Sequence, residues 1–129
     1  MPRLFTLEEA RALLPEVRAI AEAMRERKLA FDQRARVIKQ AGRQAGGNGH
    51  GPREALSAQS QAEQLVQEIQ DRMQRLAEMG VEVKGLDEGL VDFPSERDGR
   101  VVYLCWRIGE EDILYWHELH AGFRGRQPL

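Results

Sequence analysis

Apolar side chains return every seven residues along two long stretches in the first half of the chain. In the first stretch they are Ala10, Val17, Met24, Phe31 and Ile38, and in the second they are Ala55, Ala62, Ile69 and Leu76. This spacing gathers apolar side chains on one side of an α-helix and leaves polar ones on the other. The pattern predicts two long amphipathic helices, one from Phe5 to about Ala41 and one from Arg53 to Met79.

The ends of the predicted helices carry recognisable signals. Thr6 and Glu9 have the spacing of a capping box, in which each side chain bonds the backbone amide of the other residue. Gly80 favours the left-handed conformation that stops a helix, with Val81 packing back against it. Pro15 has no amide hydrogen, so it predicts a kink or a break in the first helix.

Residues 42–52 connect the two helices and are rich in glycine. This composition predicts a flexible loop and therefore an antiparallel, coiled-coil-like hairpin over residues 1–79. A phosphate-binding loop would need a preceding strand and a following Lys-Ser or Lys-Thr pair, and the sequence has neither. His50 is therefore interpreted as a solvated loop residue.

Basic side chains cluster on one face of the first predicted helix. They are Arg25, Lys28, Arg36, Lys39 and Arg43. Such a face can bind nucleic-acid phosphates, but no aromatic residues stand among them to stack on bases. A hairpin that turns near Asn48 places Arg25 beside Asp71. The same turn places Lys28 beside Glu68. Ion pairs between the helices are therefore the favoured interpretation.

After Gly80 the pattern changes to the short apolar runs that are typical of β-strands. The predicted strands are Leu90–Phe93, which Pro94 ends, Arg100–Arg107 and Ile113–Leu119. Tight turns join them, and Asp98-Gly99 is the clearest turn signal. Residues 80–129 are therefore predicted to form a three-stranded antiparallel meander and a C-terminal tail, 121–128, without regular structure.

The size and composition of the chain fit this architecture. A chain of 129 residues usually forms one domain, so residues 1–129 are predicted to be a single α+β domain with the helix hairpin packed on the meander. The formal net charge of −2 gives no bulk attraction for polyanions. The sequence has no N-terminal signal pattern and no apolar run of about 20 residues. A soluble cytoplasmic protein is expected.

Both faces of the predicted meander are apolar. One face carries Val101, Tyr103, Cys105, Ile113, Tyr115 and Leu119. The other face carries Val102, Leu104, Trp106, Leu114 and Trp116. An antiparallel sheet that is covered on one side should alternate apolar with polar residues, and the helix hairpin covers one side only. A second subunit is the simplest cover for the other side, so we expect a homodimer.

The candidate metal ligands are His117, Glu118 and His120, with Asp92 in a neighbouring strand. The spacing is not that of His-Glu-x-x-His on a helix, and in a strand His117 and His120 point to opposite faces. Asp92 is expected opposite Tyr103. That would put it two strands and roughly 10 Å from His117, too far for one ion with ligand bonds near 2 Å. No cofactor is predicted, and a divalent transition metal stays an alternative that requires an irregular strand end.

Three arginines near the tryptophans form a candidate anion site. They are Arg107, Arg124 and Arg126, and guanidinium groups suit bidentate contacts with anions. Ion pairs with Glu110, Glu111 or Asp112 would explain them equally well. Cys105, the one cysteine in the sequence, has apolar neighbours and is interpreted as a buried, inert thiol. No catalytic residue is predicted.

Seven segments of the sequence are distinctive in combination. They are Phe5–Ala10 followed by Leu13-Leu14-Pro15, then Gly80–Lys84, Gly89–Pro94, Leu104–Arg107, Trp116-His117 and Gly122–Arg126. Together they resemble a small bacterial family known as domain of unknown function 2203, over almost the whole chain. The resemblance implies a stand-alone prokaryotic protein without an assigned activity. It also favours Asp92, Arg107, His117 and Arg126 over His120 as shared site residues.

The function that the sequence favours is a small non-enzymatic cytoplasmic interaction or oligomerisation module with an unidentified protein partner. The alternative is a metal- or small-anion-binding protein, with or without an enzymatic activity, whose site surrounds His117. A third hypothesis is nucleic-acid binding through the basic face of the first helix.

Overall fold

Two long helices form the first half of the described chain. In the computed structural model, which describes residues 3–43 and 52–129, α1 spans Leu7–Arg43 and α2 spans Pro52–Met79. The helices pack along each other as the predicted hairpin. Both ends of the predicted loop 42–52 are helical. The rest of that loop, with His50, lies outside the described residues.

The capping box at the start of α1 is confirmed. The Glu9 amide donates to the Thr6 hydroxyl oxygen at 3.1 Å, and the Thr6 amide donates to a Glu9 carboxylate oxygen at 2.9 Å. These two bonds satisfy amides that have no partner within the helix. Just before the cap, the Phe5 ring is buried and meets the Phe93 ring edge-on, with the centroids 5.4 Å apart. The contact between Phe5 and Phe93 therefore holds the start of α1 against the sheet.

Pro15 does not break α1, because the helix is continuous from Leu7 to Arg43. Of the two predicted outcomes, a kink or a break near Leu14, the break is wrong. Leu14 and Val17, on either side of the proline, are buried in the core. Their burial favours the helical path despite the hydrogen bond that proline cannot donate.

Ion pairs between the helices are present, but their register differs from the predicted one. Arg27 contacts Glu68 at 3.8 Å, and Arg75 contacts Glu16 at 2.8 Å. Lys28, expected at Glu68, instead bonds Asp32 and Asp87. The Arg27–Glu68 pair lies one residue from the predicted register, and the Arg75–Glu16 pair lies five residues from it, since Glu16 was expected to face position 80. The residue number rises from Glu16 to Arg27 in α1 while that of the partner in α2 falls from Arg75 to Glu68. The two helices therefore run antiparallel.

The second half of the chain forms a five-stranded antiparallel sheet in the order of the sequence. The strands are β1 (Glu82–Gly85), β2 (Leu90–Arg97), β3 (Arg100–Arg107), β4 (Tyr115–Glu118) and β5 (Gln127–Pro128). Three strands were predicted, so the count is corrected to five. The tail, expected to be irregular, contains a 3-10 turn at Phe123–Gly125 as well as β5.

Pro94 lies inside β2 and does not end it. Its carbonyl accepts the Phe5 amide at 2.7 Å. In a strand the nitrogen and carbonyl of one residue face the same side, so the ring nitrogen faces away from β3. Proline removes no hydrogen bond between β2 and β3 at this position, and the strand continues to Arg97.

The inner face of the sheet packs on the helices and forms the core. Its sheet residues include Val91, Phe93, Val102, Leu104, Trp106 and Trp116. Ile113 is also buried in this core and Leu114 is exposed, the reverse of the predicted assignment. The strand begins only at Tyr115, so residues before it do not follow the alternation of a strand.

The outer face of the sheet differs from the apolar surface that the sequence suggested. It carries Asp92 and His117, and the C-terminal tail lies against part of it, with the Arg126 guanidinium 4.0 Å from the centroid of the Tyr115 ring. The premise that only a second subunit could cover this face is therefore weakened. The homodimer stays a prediction.

Neither helix has, among its described residues, a segment long and apolar enough to cross a membrane.

Gly80 is expected to matter for stability because it closes α2 with φ of 88°. The Val81 amide donates to the Leu76 carbonyl at 2.9 Å, and the Gly80 amide donates to the Ala77 carbonyl at 3.0 Å, the Schellman arrangement. A side chain in this conformation is strained, and a Cβ would lie 3.1 Å from Arg3. Gly80→Ala should lower the free energy of unfolding by about 1–2 kcal/mol in urea denaturation.

Gly42→Ala is the matched control for this experiment. Gly42 lies in α1 and a Cβ there would meet nothing within 4 Å. Alanine should be neutral or stabilise by up to about 1 kcal/mol. Equal effects of the two substitutions would contradict the role given to Gly80.

Candidate functional site

Three polar side chains are buried together on the outer face of the sheet. Asp92, Cys105 and His117 are 1%, 0% and 2% exposed. One carboxylate oxygen, the thiol sulfur and one imidazole nitrogen all lie within 4.8 Å of one another. Buried charged or polar groups are costly unless they are paired, so this cluster needs an explanation beyond packing.

The turn between β2 and β3 places two of these residues side by side. Asp98 and Gly99 form a two-residue turn with φ values of 53° and 77°, as a tight hairpin of this type requires. Arg97 then pairs with Arg100, and counting back along the ladder puts Asp92 directly opposite Cys105. The predicted pairing of Asp92 with Tyr103 is wrong by two residues.

His117 reaches the cluster from the next strand. Tyr103 pairs with His117 as expected, so His117 stands diagonally across β3 from Asp92. Its Nε2 lies 3.0 and 3.1 Å from the two carboxylate oxygens of Asp92. The expected separation of roughly 10 Å described the two backbones. Two side chains that lean toward each other over the small Cys105 close that gap.

The position of the His117 proton follows from its other contact. Nδ1 lies 2.7 Å from the carbonyl oxygen of Glu118, and a carbonyl can only accept a hydrogen bond. Nδ1 therefore carries hydrogen. In a neutral ring Nε2 would then have only a lone pair, which would face the Asp92 carboxylate. A positive centre, either a proton or a metal ion, must lie between these two groups.

Burial determines the electrostatics of the cluster. It raises the pKa of Asp92, and the neighbouring His117 partly counteracts the rise. Burial, followed by the Asp92 charge, raises the pKa of the Cys105 thiol to about 12. Without a bound cation this thiol stays protonated at neutral pH. Because the nucleophile of a cysteine enzyme is an accessible thiolate, the arrangement does not favour nucleophilic catalysis.

The Tyr103 ring covers one side of the cluster. The Tyr103 ring lies 5.5 Å from the His117 ring, and its hydroxyl donates to Glu82 at 3.0 Å. Lys84 covers the Tyr103 ring at 4.7 Å. Tyr103 is thereby fixed over one side of the cluster, which keeps the local polarity low.

Two predicted ligands do not join the cluster. The Glu118 carboxylate points to Arg100, with a shortest contact of 2.5 Å. His120 is exposed and lies in the turn after β4. Both were chosen for their nearness to His117 in sequence, but alternation sends the Glu118 side chain to the other face. The third side chain of the cluster is instead Cys105. Counting the strand register back from the Asp98-Gly99 turn would have predicted that Cys105 lies opposite Asp92.

The candidate anion-binding arginines separate into two environments. Arg126 is 10% exposed and its guanidinium contacts the Glu110 carboxylate at 2.5 Å, one of the ion pairs that the sequence suggested. Arg107 and Arg124 are exposed and line a groove on the outer face. On the basic face of α1, Lys28 is held by two carboxylates.

Comparison with known proteins identifies a family but no characterised relative. No curated protein and no solved structure has significant similarity to the chain. A family model described as "Uncharacterized conserved protein (DUF2203)" matches residues 3–129. The matched range includes all three residues of the buried cluster. The chain therefore belongs to the DUF2203 family.

Proposed function

We propose that this protein binds one divalent transition metal ion, of the Zn²⁺ class, through Asp92, Cys105 and His117. The observation that carries the proposal is the orientation of His117. Its Nδ1 lies against a backbone carbonyl and its Nε2 lies against a carboxylate. Imidazoles that bind metals commonly donate their second ring hydrogen to a carbonyl or carboxylate, which fixes the ring for the ion.

The donor types support a transition metal over a harder cation. Imidazole nitrogen, thiolate sulfur and carboxylate oxygen are the three ligand types that Zn²⁺ uses in proteins, with bonds of about 2.0–2.3 Å. Mg²⁺ and Ca²⁺ prefer oxygen ligands only. Donor atoms within 4.8 Å of one another need only small side-chain movements to surround one ion.

Charge balance is a second argument. A proton between Asp92 and His117 satisfies that pair, and the neutral Cys105 thiol then donates a hydrogen bond to the Asp92 carboxylate. A divalent cation is balanced by one carboxylate and one thiolate, so the buried site is neutral as a whole. Neutralising buried charges within a close cluster limits the cost of removing them from water.

Three protein ligands leave the fourth position of a tetrahedral ion for another ligand. The burial of all three side chains restricts that position to something as small as water. We therefore propose binding and assign no reaction.

Cobalt(II) titration tests the site directly, because a cobalt–thiolate bond gives a charge-transfer band in the near ultraviolet. The chelator-treated protein should develop this band to an endpoint of one ion per chain. His117→Ala should weaken binding by more than the roughly 10–100-fold cost of losing a supporting partner. Cys105→Ser should abolish the band.

His120→Ala is the matched control for the cobalt titration, since it removes an exposed histidine three residues from His117. It should bind as the unmodified chain does. A folded protein that gives no band, or equal losses in the two histidine variants, would contradict the proposal. Far-ultraviolet circular dichroism establishes that each variant is folded.

Metal binding should release two protons near neutral pH. One comes from the Cys105 thiol, whose pKa burial raises to about 12, and the other from the pair of Asp92 and His117. Because the ion competes with protons, affinity should increase with pH, by up to about 100-fold per pH unit. Zn²⁺ titration in weakly buffered indicator solution measures the proton count. A pH-independent affinity would contradict thiolate ligation.

A further inference from the structure

We infer that a groove on the outer face of the sheet is a binding site for small monoanions with a flat apolar body, such as an aromatic carboxylate. The groove has a volume of about 370 Å³ and is lined by Glu88, Leu90, Arg107, Ala121, Phe123 and Arg124. Small-molecule sites begin at about 300 Å³ and combine apolar walls with a few polar groups. It contains none of the residues of the proposed metal site, so the two proposals are independent.

The floor of the groove is part of the regular sheet. Leu90 and Arg107 are paired across β2 and β3, one step along the same face from Asp92 and Cys105. The floor is therefore as well ordered as the ladder that carries it. A site built on strands holds its side chains more rigidly than a site built on loops alone.

The apolar wall is held by the C-terminal tail. Phe123 begins a 3-10 turn in which the Gly125 amide donates to the Gly122 carbonyl at 3.0 Å. Arg126 anchors the turn through Glu110 and stacks on the Phe123 ring at 4.7 Å. Phe123 is nevertheless 38% exposed and lines the groove, where it offers apolar surface to a ligand ring.

The guanidinium groups of the groove arginines have no carboxylate partner among residues 3–43 and 52–129, although the Arg107 backbone amide donates to Glu110. Arg107 contacts the Phe123 ring at 5.1 Å, and neither its guanidinium nor that of Arg124 makes an ion pair there. Arg100 and Arg126, by contrast, each contact a glutamate at 2.5 Å. Two guanidinium groups beside an apolar wall suit an anion attached to a ring.

The charge of the lining sets the charge of the ligand. Arg107 and Arg124 contribute two positive charges and Glu88 contributes one negative charge. The groove therefore has a net charge of one positive unit, which a monoanion complements. A neutral ligand of the same shape would use the walls but not the guanidinium groups.

Two related dyes separate these contributions. The probe 8-anilino-1-naphthalenesulfonate carries one sulfonate on an aromatic body, and N-phenyl-1-naphthylamine is the same body without the charge. The sulfonate should bind with one site per chain, with fluorescence enhancement as the readout. Arg107→Gln with Arg124→Gln should weaken sulfonate binding about tenfold and leave the neutral dye unaffected.

The matched control is Arg36→Gln with Lys39→Gln, which removes the same charge from an exposed face of α1. Sulfonate binding should be unchanged in this variant. Phe123→Ala should weaken binding of both dyes, because it removes the apolar wall. The inference is overturned if the sulfonate does not bind, if the two charge variants lose affinity equally, or if both dyes respond alike to the loss of Arg107 and Arg124.

Discussion

The hydrogen bond between Nδ1 of His117 and the Glu118 carbonyl constrains the buried polar cluster on the outer face of the sheet. At 2.7 Å it fixes the ring and leaves Nε2 facing the Asp92 carboxylate, where only a positive centre is compatible with both groups. That centre must lie beside the Cys105 thiol, because β3 runs between the two strands that carry the pair. This contact orients the His117 ring, and the strand register brings the Asp92 and Cys105 side chains to the same point.

The inner face of the sheet contributes to the hydrophobic core, and the outer face carries the buried polar cluster. The inner face places Trp106 and Trp116 in the core with the helices, and its packing keeps the ladder in register. Because side chains alternate along a strand, the residues beside the tryptophans in sequence, Cys105 and His117, must point outward. The position of the polar cluster follows from the packing of the core. Tyr103 and the C-terminal tail then limit the access of water.

The helices could be predicted from the sequence because their signals are local. Thr6 with Glu9 and the glycine at position 80 act within one helical turn. The cluster could not be predicted with the same ease, since it depends on strand register and on how far side chains reach. An error of two residues in counting from the Asp98-Gly99 turn placed Asp92 beside Tyr103 and left Cys105 out. The short strands at the sheet edges escaped notice because two to four residues carry little pattern.

The claim that one ion binds Asp92, Cys105 and His117 together is tested most directly by X-ray absorption at the zinc edge of the metal-loaded protein. The expected spectrum has one sulfur neighbour at about 2.3 Å and the remaining nitrogen and oxygen neighbours at about 2.0–2.2 Å. The sulfur contribution should disappear in Cys105→Ser. A zinc environment of nitrogen and oxygen alone in the unmodified protein would contradict the claim, because Cys105 is the one cysteine of the chain.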